Sequence, residues 1–125
     1  MPVEPQPIPD SCDLLRRVSP IHIVPDANTG RRRLSSGAFR DKGMSVDAEC
    51  LLAESGLDWR YSTRGYGNHY LLRFSAGFAR REQQTVEHKP NDGNPFHAEV
   101  IGRKSQPICN AFRVEARWVV APPGV

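Results

Sequence analysis

Apolar residues recur along this chain in short bursts rather than long runs, and the spacing of each burst sets the element it predicts. Leu14, Leu15 and Val18 fall on one side of a helical wheel with Arg16 and Arg17 off it. With Asp10 or Ser11 as a cap, that spacing predicts a short helix ending before Pro20. Ile21, Ile23 and Val24 around His22 predict a short strand, stopped by Pro25 and the turn formers of 26–30. Residues 34–39 have no period and read as an irregular segment anchored by Phe39. Ser45 reads as the N-cap of a helix over 46–55, because Asp47 and Glu49 sit in a first turn where the macrodipole favours acids. Gly56 then supplies the residue past the end, and Ala48, Leu51 and Leu52 the buried stripe.

The second half is more strand-like. Residues 59–68 are polar and aromatic, with Gly65 and Gly67, and predict a loop into a strand over 69–75, where Tyr70, Leu72 and Phe74 alternate with Leu71, Arg73 and Ser75. Residues 77–84 fit either a short helix with Phe78 inward or a turn and bulge. The densest turn signals of the chain, Asn91-Asp92-Gly93-Asn94-Pro95, predict a connection between strands at 85–88 and 96–101. On the second of these, Phe96, Ala98 and Val100 face one way and His97, Glu99 and Ile101 the other. Ser105 caps a helix through Arg117 with Pro107 in its first turn, and Trp118-Val119-Val120 closes the domain.

These elements make one α+β domain over 11–120, an antiparallel sheet of about three to five short strands with two or three helices packed on it. A Pro-rich, extended and mobile arm precedes it at 1–10, and a tail follows at 121–125. The length of 125 residues suits a single core, and the 38% hydrophobic content keeps that core modest. Cys12, Cys50 and Cys109 are odd in number, widely spaced and without a Cys-x-x-Cys pair, so they read as buried free thiols in a reducing compartment. The N-terminal stretch has neither a basic segment nor an apolar one, and no apolar run is long enough to cross a bilayer. The expectation is a cytoplasmic protein with no membrane partner.

Candidate chemistry is sparse. His97-Ala98-Glu99 matches the first half of the zinc-deaminase signature, but Pro107-Ile108-Cys109-Asn110 does not supply the second, so neither a metal nor another cofactor is expected. His88 and His97 flank the predicted turn, where they face each other or share a face with Glu87 or Glu99. Near Ser35, Ser36 or Ser75 such a group suits acid–base or nucleophilic chemistry. The net charge is +3, from 17 Lys and Arg against 14 Asp and Glu, and Arg dominates the positive side. Its planar fork suits phosphate or carboxylate. Arg31, Arg32 and Arg33 form the one charge run, Arg103 and Lys104 a second basic step, and Trp59, Tyr61, Tyr66 and Tyr70 are available for stacking on single-stranded nucleic acid.

Read in order, Ser35-Ser36-Gly37-Ala38-Phe39-Arg40-Asp41, Ser45-Val46-Asp47, Asn94-Pro95-Phe96-His97-Ala98 and Gly102-Arg103-Lys104 resemble the motifs of a group of small uncharacterised bacterial proteins. The resemblance covers roughly residues 12–120 and implies a bacterial origin. It nominates Ser35, Ser36, Asp41, Asn94 and His97 as a shared polar site and carries no activity. The leading functional expectation is a binding or accessory module engaging an anionic or protein partner through Arg31–Arg33 and the Arg103–Lys104 helix start. The second is a small hydrolase or transferase on a phosphate-bearing or nucleic-acid substrate, with His97 as acid or base, Ser36 as nucleophile and Arg33 as anion clamp. The third is a structural subunit of a multi-protein assembly.

Overall fold

The computed structural model describes residues 3–125. In chain order its elements are β1 (Asp13–Val18), β2 (Ile23–Pro25), β3 (Arg32–Leu34), β4 (Gly43–Ala48), α1 (Glu49–Glu54), α2 (Arg60–Thr63), β5 (Tyr70–Ser75), α3 (Ala76–Arg81), β6 (Thr85–His88), β7 (His97–Ile101), α4 (Gln106–Glu115) and β8 (Arg117–Val120). Six strands form one antiparallel sheet in the order β6-β7-β4-β1-β5-β8, and β2 with β3 makes a separate ribbon. The domain is therefore α+β with four helices among the described residues, and its sheet has more strands than the expected three to five.

The additional strands come from stretches whose spacing reads as helical. Residues 13–18 are β1, not a helix: Leu14 and Leu15 are both buried although they point to opposite sides, because β1 lies in mid-sheet with both faces covered. A short apolar pair of that kind fits a helix and a doubly buried strand equally well. Ser45 is likewise no helix cap. Met44, Val46 and Ala48 alternate into the core as β4, and α1 begins only at Glu49. The remainder of that expectation stands, with Leu51 and Leu52 buried and Gly56 at φ +73° just past the helix end.

Elsewhere the patterns translate directly. β6 and β7 form the hairpin around 91–95, pairing Val86 with Val100 and His88 with Ala98, and Phe96, Ala98 and Val100 face the core. Residues 76–81 resolve as the helix α3, capped by the Ser75 hydroxyl accepting from the Phe78 N–H at 3.0 Å. The loop 59–68 contains the single turn α2. Beneath α4, Phe112 touches Phe39, Phe74 and Phe78 at centroid distances of 5.7, 5.1 and 5.0 Å. This aromatic cluster is the centre of the core.

Two further features complete the fold, and the second corrects the sequence reading. The described part of the arm has no regular structure, yet it is held to the fold: Ile8 is buried, Arg80 donates to the Ile8 carbonyl and Asp10 carboxylate at 2.6 Å each, and the Gln6 N–H donates to His88 Nδ1 at 3.0 Å. Cys12 and Cys50 are not free thiols but a disulfide, with Cα atoms 5.4 Å apart. Its cause is the junction of β4 with α1. The β1–β4 ladder pairs Leu14 with Ala48 and Leu15 with Asp47, and where that ladder ends β4 turns into α1, whose first turn carries Cys50 to Cys12 just ahead of β1, with the Cys50 N–H 3.4 Å from Cys12 Sγ. Cys109 is the free, buried thiol.

Candidate functional site

One interruption in the sheet creates the site. β1 pairs with β5 along all six residues, but with β4 only at Leu14 and Leu15, whereas β4 follows β7 from Gly43 to Asp47. Beyond the Leu15–Asp47 pair the sheet splits into two halves. The split holds a cavity of about 190 Å³. One wall comes from the β1–β5 side, with Arg16, Arg17, Ser19, His22 and His69, and the other from the β4–β7 side, with Ser45, Val46, Asp47 and His97.

Arg16 spans the split. Its Nη1 donates to the Ser45 carbonyl at 3.0 Å, its Nε and Nη2 donate to the Ala38 carbonyl at 3.4 and 3.1 Å, and Nη2 also meets Asp41 Oδ2 at 3.2 Å. Burial pushes the guanidinium below its ordinary pKa, with Asp41 opposing that shift. Arg16 is thus committed to holding the cleft open. Asp47 is committed as well. Its buried carboxylate accepts from the Ser62 hydroxyl at 2.6 Å and the Asn94 amide at 2.7 Å, with Arg17 Nη1 3.7 Å away.

Arg17 is less constrained. Its Nη1 donates to the Ser62 carbonyl at 3.0 Å and its guanidinium lies 4.2 Å over the Tyr66 ring, which orients it by cation–π attraction. Its other N–H groups have no hydrogen-bond partner among the described residues. Three imidazoles join it from separate elements: His22 from the turn after β1, His69 ahead of β5, and His97 at the start of β7. They do not converge to bind an ion, since among the described residues no group of three or more His, Cys, Asp or Glu side chains is arranged to hold a metal.

His97 has a defined tautomer. Its Nδ1 lies 2.9 Å from the Lys89 carbonyl, which can only accept, so the proton sits on Nδ1. Nε2 is left as an acceptor facing the Ser45 hydroxyl at 3.2 Å. His88 is not its neighbour: in register with Ala98, it points to the core face, where it is buried between the Gln6 N–H and the Pro95 carbonyl. The predicted facing pair of histidines is therefore absent, because residues one position apart in register lie on opposite faces.

The other nominated residues scatter. Asn94 holds Asp47, and Asp41 meets Arg16, so both support the cleft from behind. Ser35 accepts from the Gly37 N–H at 3.1 Å and caps the turn 36–39, while Ser36 accepts from Gln106 Nε2 at 2.8 Å; neither lines the cavity. Arg31, Arg32 and Arg33 are exposed around the small ribbon, and Arg103 is exposed after β7. Lys104 is withdrawn from any basic surface. It is buried, and its ammonium donates to the carbonyls of Val100, Lys42 and Gly102 at 2.9, 3.0 and 3.2 Å.

Burial lowers the Lys104 pKa, and the three carbonyls hold the cation in place. Lys104→Met is expected to cost about 2–3 kcal/mol in urea denaturation, because charge-assisted bonds are lost and acceptors stranded. A loss within ~0.5 kcal/mol would show that the ammonium contributes nothing.

Sequence reasoning found His97 and missed Arg17, His22, His69 and Ser45 as its companions. The available signal was the juxtaposition of Ser45-Val46-Asp47 with an Arg16-Arg17 pair in a neighbouring strand, which is visible only once both stretches are read as strands. Fold and site together define a small antiparallel α+β domain with a donor-lined cleft where its sheet divides. Comparison with protein-family models, with curated proteins and with solved structures gives no match for the chain.

Proposed function

We propose that the protein is a binding module for a small anionic ligand, a phosphate or carboxylate group held in the cleft between β1 and β4. The observation that carries this reading is the Arg17 guanidinium, oriented on Tyr66 with unused N–H groups at a cavity that His22 and His69 also line. A fork of that kind matches two oxygens of an anion, and imidazoles add donors and, when protonated, charge. The Asp47 carboxylate on the same cleft accepts from the Ser62 hydroxyl and the Asn94 amide, which leaves the Arg17 guanidinium, 3.7 Å away, as the charge that faces an incoming anion. The reading moves anion recognition away from Arg31–Arg33 and Arg103–Lys104, where a solvated surface gives little affinity per contact.

A phosphate-bearing macromolecule remains compatible with the exposed Arg31–Arg33 run and is the competing reading. The disulfide between Cys12 and Cys50 supports an oxidising compartment over the cytoplasm. Among the described residues no helix is long and apolar enough to cross a membrane.

Calorimetric titration with inorganic phosphate, a phosphate monoester and a small dicarboxylate tests the proposal. Arg17→Met is expected to weaken the best of these about 10- to 100-fold, the equivalent of losing a charge-assisted bond, and His69→Ala to weaken it less. Equal affinity in wild type and Arg17→Met would contradict the reading. Binding of single-stranded DNA that falls steeply with salt and with loss of Arg31–Arg33 would favour the competing one.

A further inference from the structure

We propose that Ser45 is a nucleophile and His97 its general base, so that the cleft also performs acyl transfer on esters bearing an anionic group. Three observations place the parts. The Lys89 carbonyl fixes the His97 proton on Nδ1 at 2.9 Å, which leaves the Nε2 lone pair available. That nitrogen faces Ser45 Oγ at 3.2 Å, within reach for taking the hydroxyl proton. The Ser45 main chain is held independently, since β4 pairs Ser45 with Glu99 of β7 and Arg16 holds its carbonyl at 3.0 Å. Base and nucleophile thus come from the adjoining strands β7 and β4, and the orienting carbonyl from Lys89 just past β6, whose N–H donates to the His97 carbonyl at 2.8 Å.

The surroundings distinguish this hydroxyl from the others near the cleft. Ser19, the other serine of the cavity wall, accepts from the Ile21 N–H at 3.4 Å, Ser62 donates to Asp47 and is buried, and Ser35 and Ser36, outside the cavity, accept from the Gly37 N–H and from Gln106. Ser45 is exposed and its hydroxyl meets a basic nitrogen. The order of events follows. Ser45 Oγ bonds to the ester carbonyl carbon as its proton passes to His97 Nε2. The tetrahedral adduct collapses by breaking the carbon–oxygen bond to the alcohol, which leaves with that proton. Water, deprotonated by the same nitrogen, then cleaves the acyl-serine, releasing the acid and restoring the hydroxyl. Arg17 on the opposite wall is the source of positive charge for the developing oxyanion and for the substrate's anionic group.

The anionic character of the substrate rests on the binding reading above; the Ser45–His97 pair does not. A neutral fluorophosphonate therefore tests the pair by itself. Oγ–P bond formation expels fluoride and delivers the proton to His97, and peptide mass analysis locates the adduct. The expected result is rapid modification of Ser45, with Ser35 and Ser36 unlabelled in the same molecule, and a rate about 10²- to 10⁴-fold lower in His97→Gln. Imidazole ¹⁵N shifts of the unmodified protein should place the His97 proton on Nδ1, a readout that needs no variant. Labelling of Ser45 no faster than of Ser36, an unchanged rate in His97→Gln, or a proton on Nε2 would each overturn the proposal. Phosphate titration failing while Ser45 labels would remove only the anionic substrate class.

Discussion

Cys50→Ser is expected to lower the unfolding free energy by about 4 kcal/mol, the largest single effect of any side-chain replacement outside the aromatic core. The bridge joins residues 38 apart in sequence, and closing a loop of that length removes chain entropy from the unfolded state worth about 4 kcal/mol at 25 °C. In the native state the bridge ties the chain just ahead of β1 to the first turn of α1, beside the Leu14–Ala48 pair. For a domain whose total stability is on the order of 5–15 kcal/mol, that loss is a large fraction, and in melting temperature it corresponds to about 15 °C. Urea denaturation with and without a reducing agent measures it. The reduced wild type and Cys50→Ser should unfold together, well below the oxidised protein. Thiol titration offers a parallel check: the unreduced protein should expose only Cys109 in denaturant, and all three cysteines after reduction. Identical midpoints for oxidised and reduced protein would show that the bridge does not constrain the chain.

Phe112→Ala is expected to cost about 3–5 kcal/mol. Phe112 has no exposed surface, and its ring sits among those of Phe39, Phe74 and Phe78, which belong to the 36–39 turn, β5 and α3. Truncation removes one member of three aromatic pairs and leaves a void that rigid strands on one side cannot close. The helix itself would suffer too, because Cys109 and Phe112 are the only buried residues of α4. Loss of ring packing should therefore appear in near-ultraviolet circular dichroism before the far-ultraviolet signal changes. A destabilisation below ~1 kcal/mol would mean that α4 is anchored elsewhere.

Legibility of this fold in its sequence differs from strand to strand, and β5, inside the sheet, was readable from its alternation over 70–75. The outer strands β6 and β7 were readable because one face is buried and the other wet, which leaves a clean alternation in 96–101, and because the turn at 91–95 is chemically explicit. The central strands β1 and β4 were not. In β1 both Leu14 and Leu15 are buried, so alternation disappears, and in β4 the acidic Asp47, which reads as a first-turn helix residue, is instead a satisfied buried carboxylate. That misreading had a chemical cost. With residues 13–18 and 46–48 taken as helices, the Cys12–Cys50 bridge could not be found, nor could the cleft, since both depend on the partial pairing of β1 with β4.

The same distinction applies to individual site residues. His97 was accessible to sequence reasoning because it lies on the outward face of a recognisable strand. Ser36 was attractive by type and motif but is occupied by Gln106, and Lys104 looked like part of a basic surface only until its three carbonyl partners are seen. Charge read along a sequence says little about which cations reach solvent. Arg16 and Arg17, adjacent in the chain, illustrate this: one ties the two halves of the sheet together and the other keeps donors to spare.

Heteronuclear NMR titration of the oxidised protein with inorganic phosphate tests directly the proposal that the split in the sheet is an anion site. The His22 and His69 ring resonances and the Arg17 side-chain N–H signals should shift saturably, with the signals of Arg31, Arg32 and Arg33 unmoved. Shifts confined to Arg31–Arg33, or no saturable shift in the cleft, would contradict it.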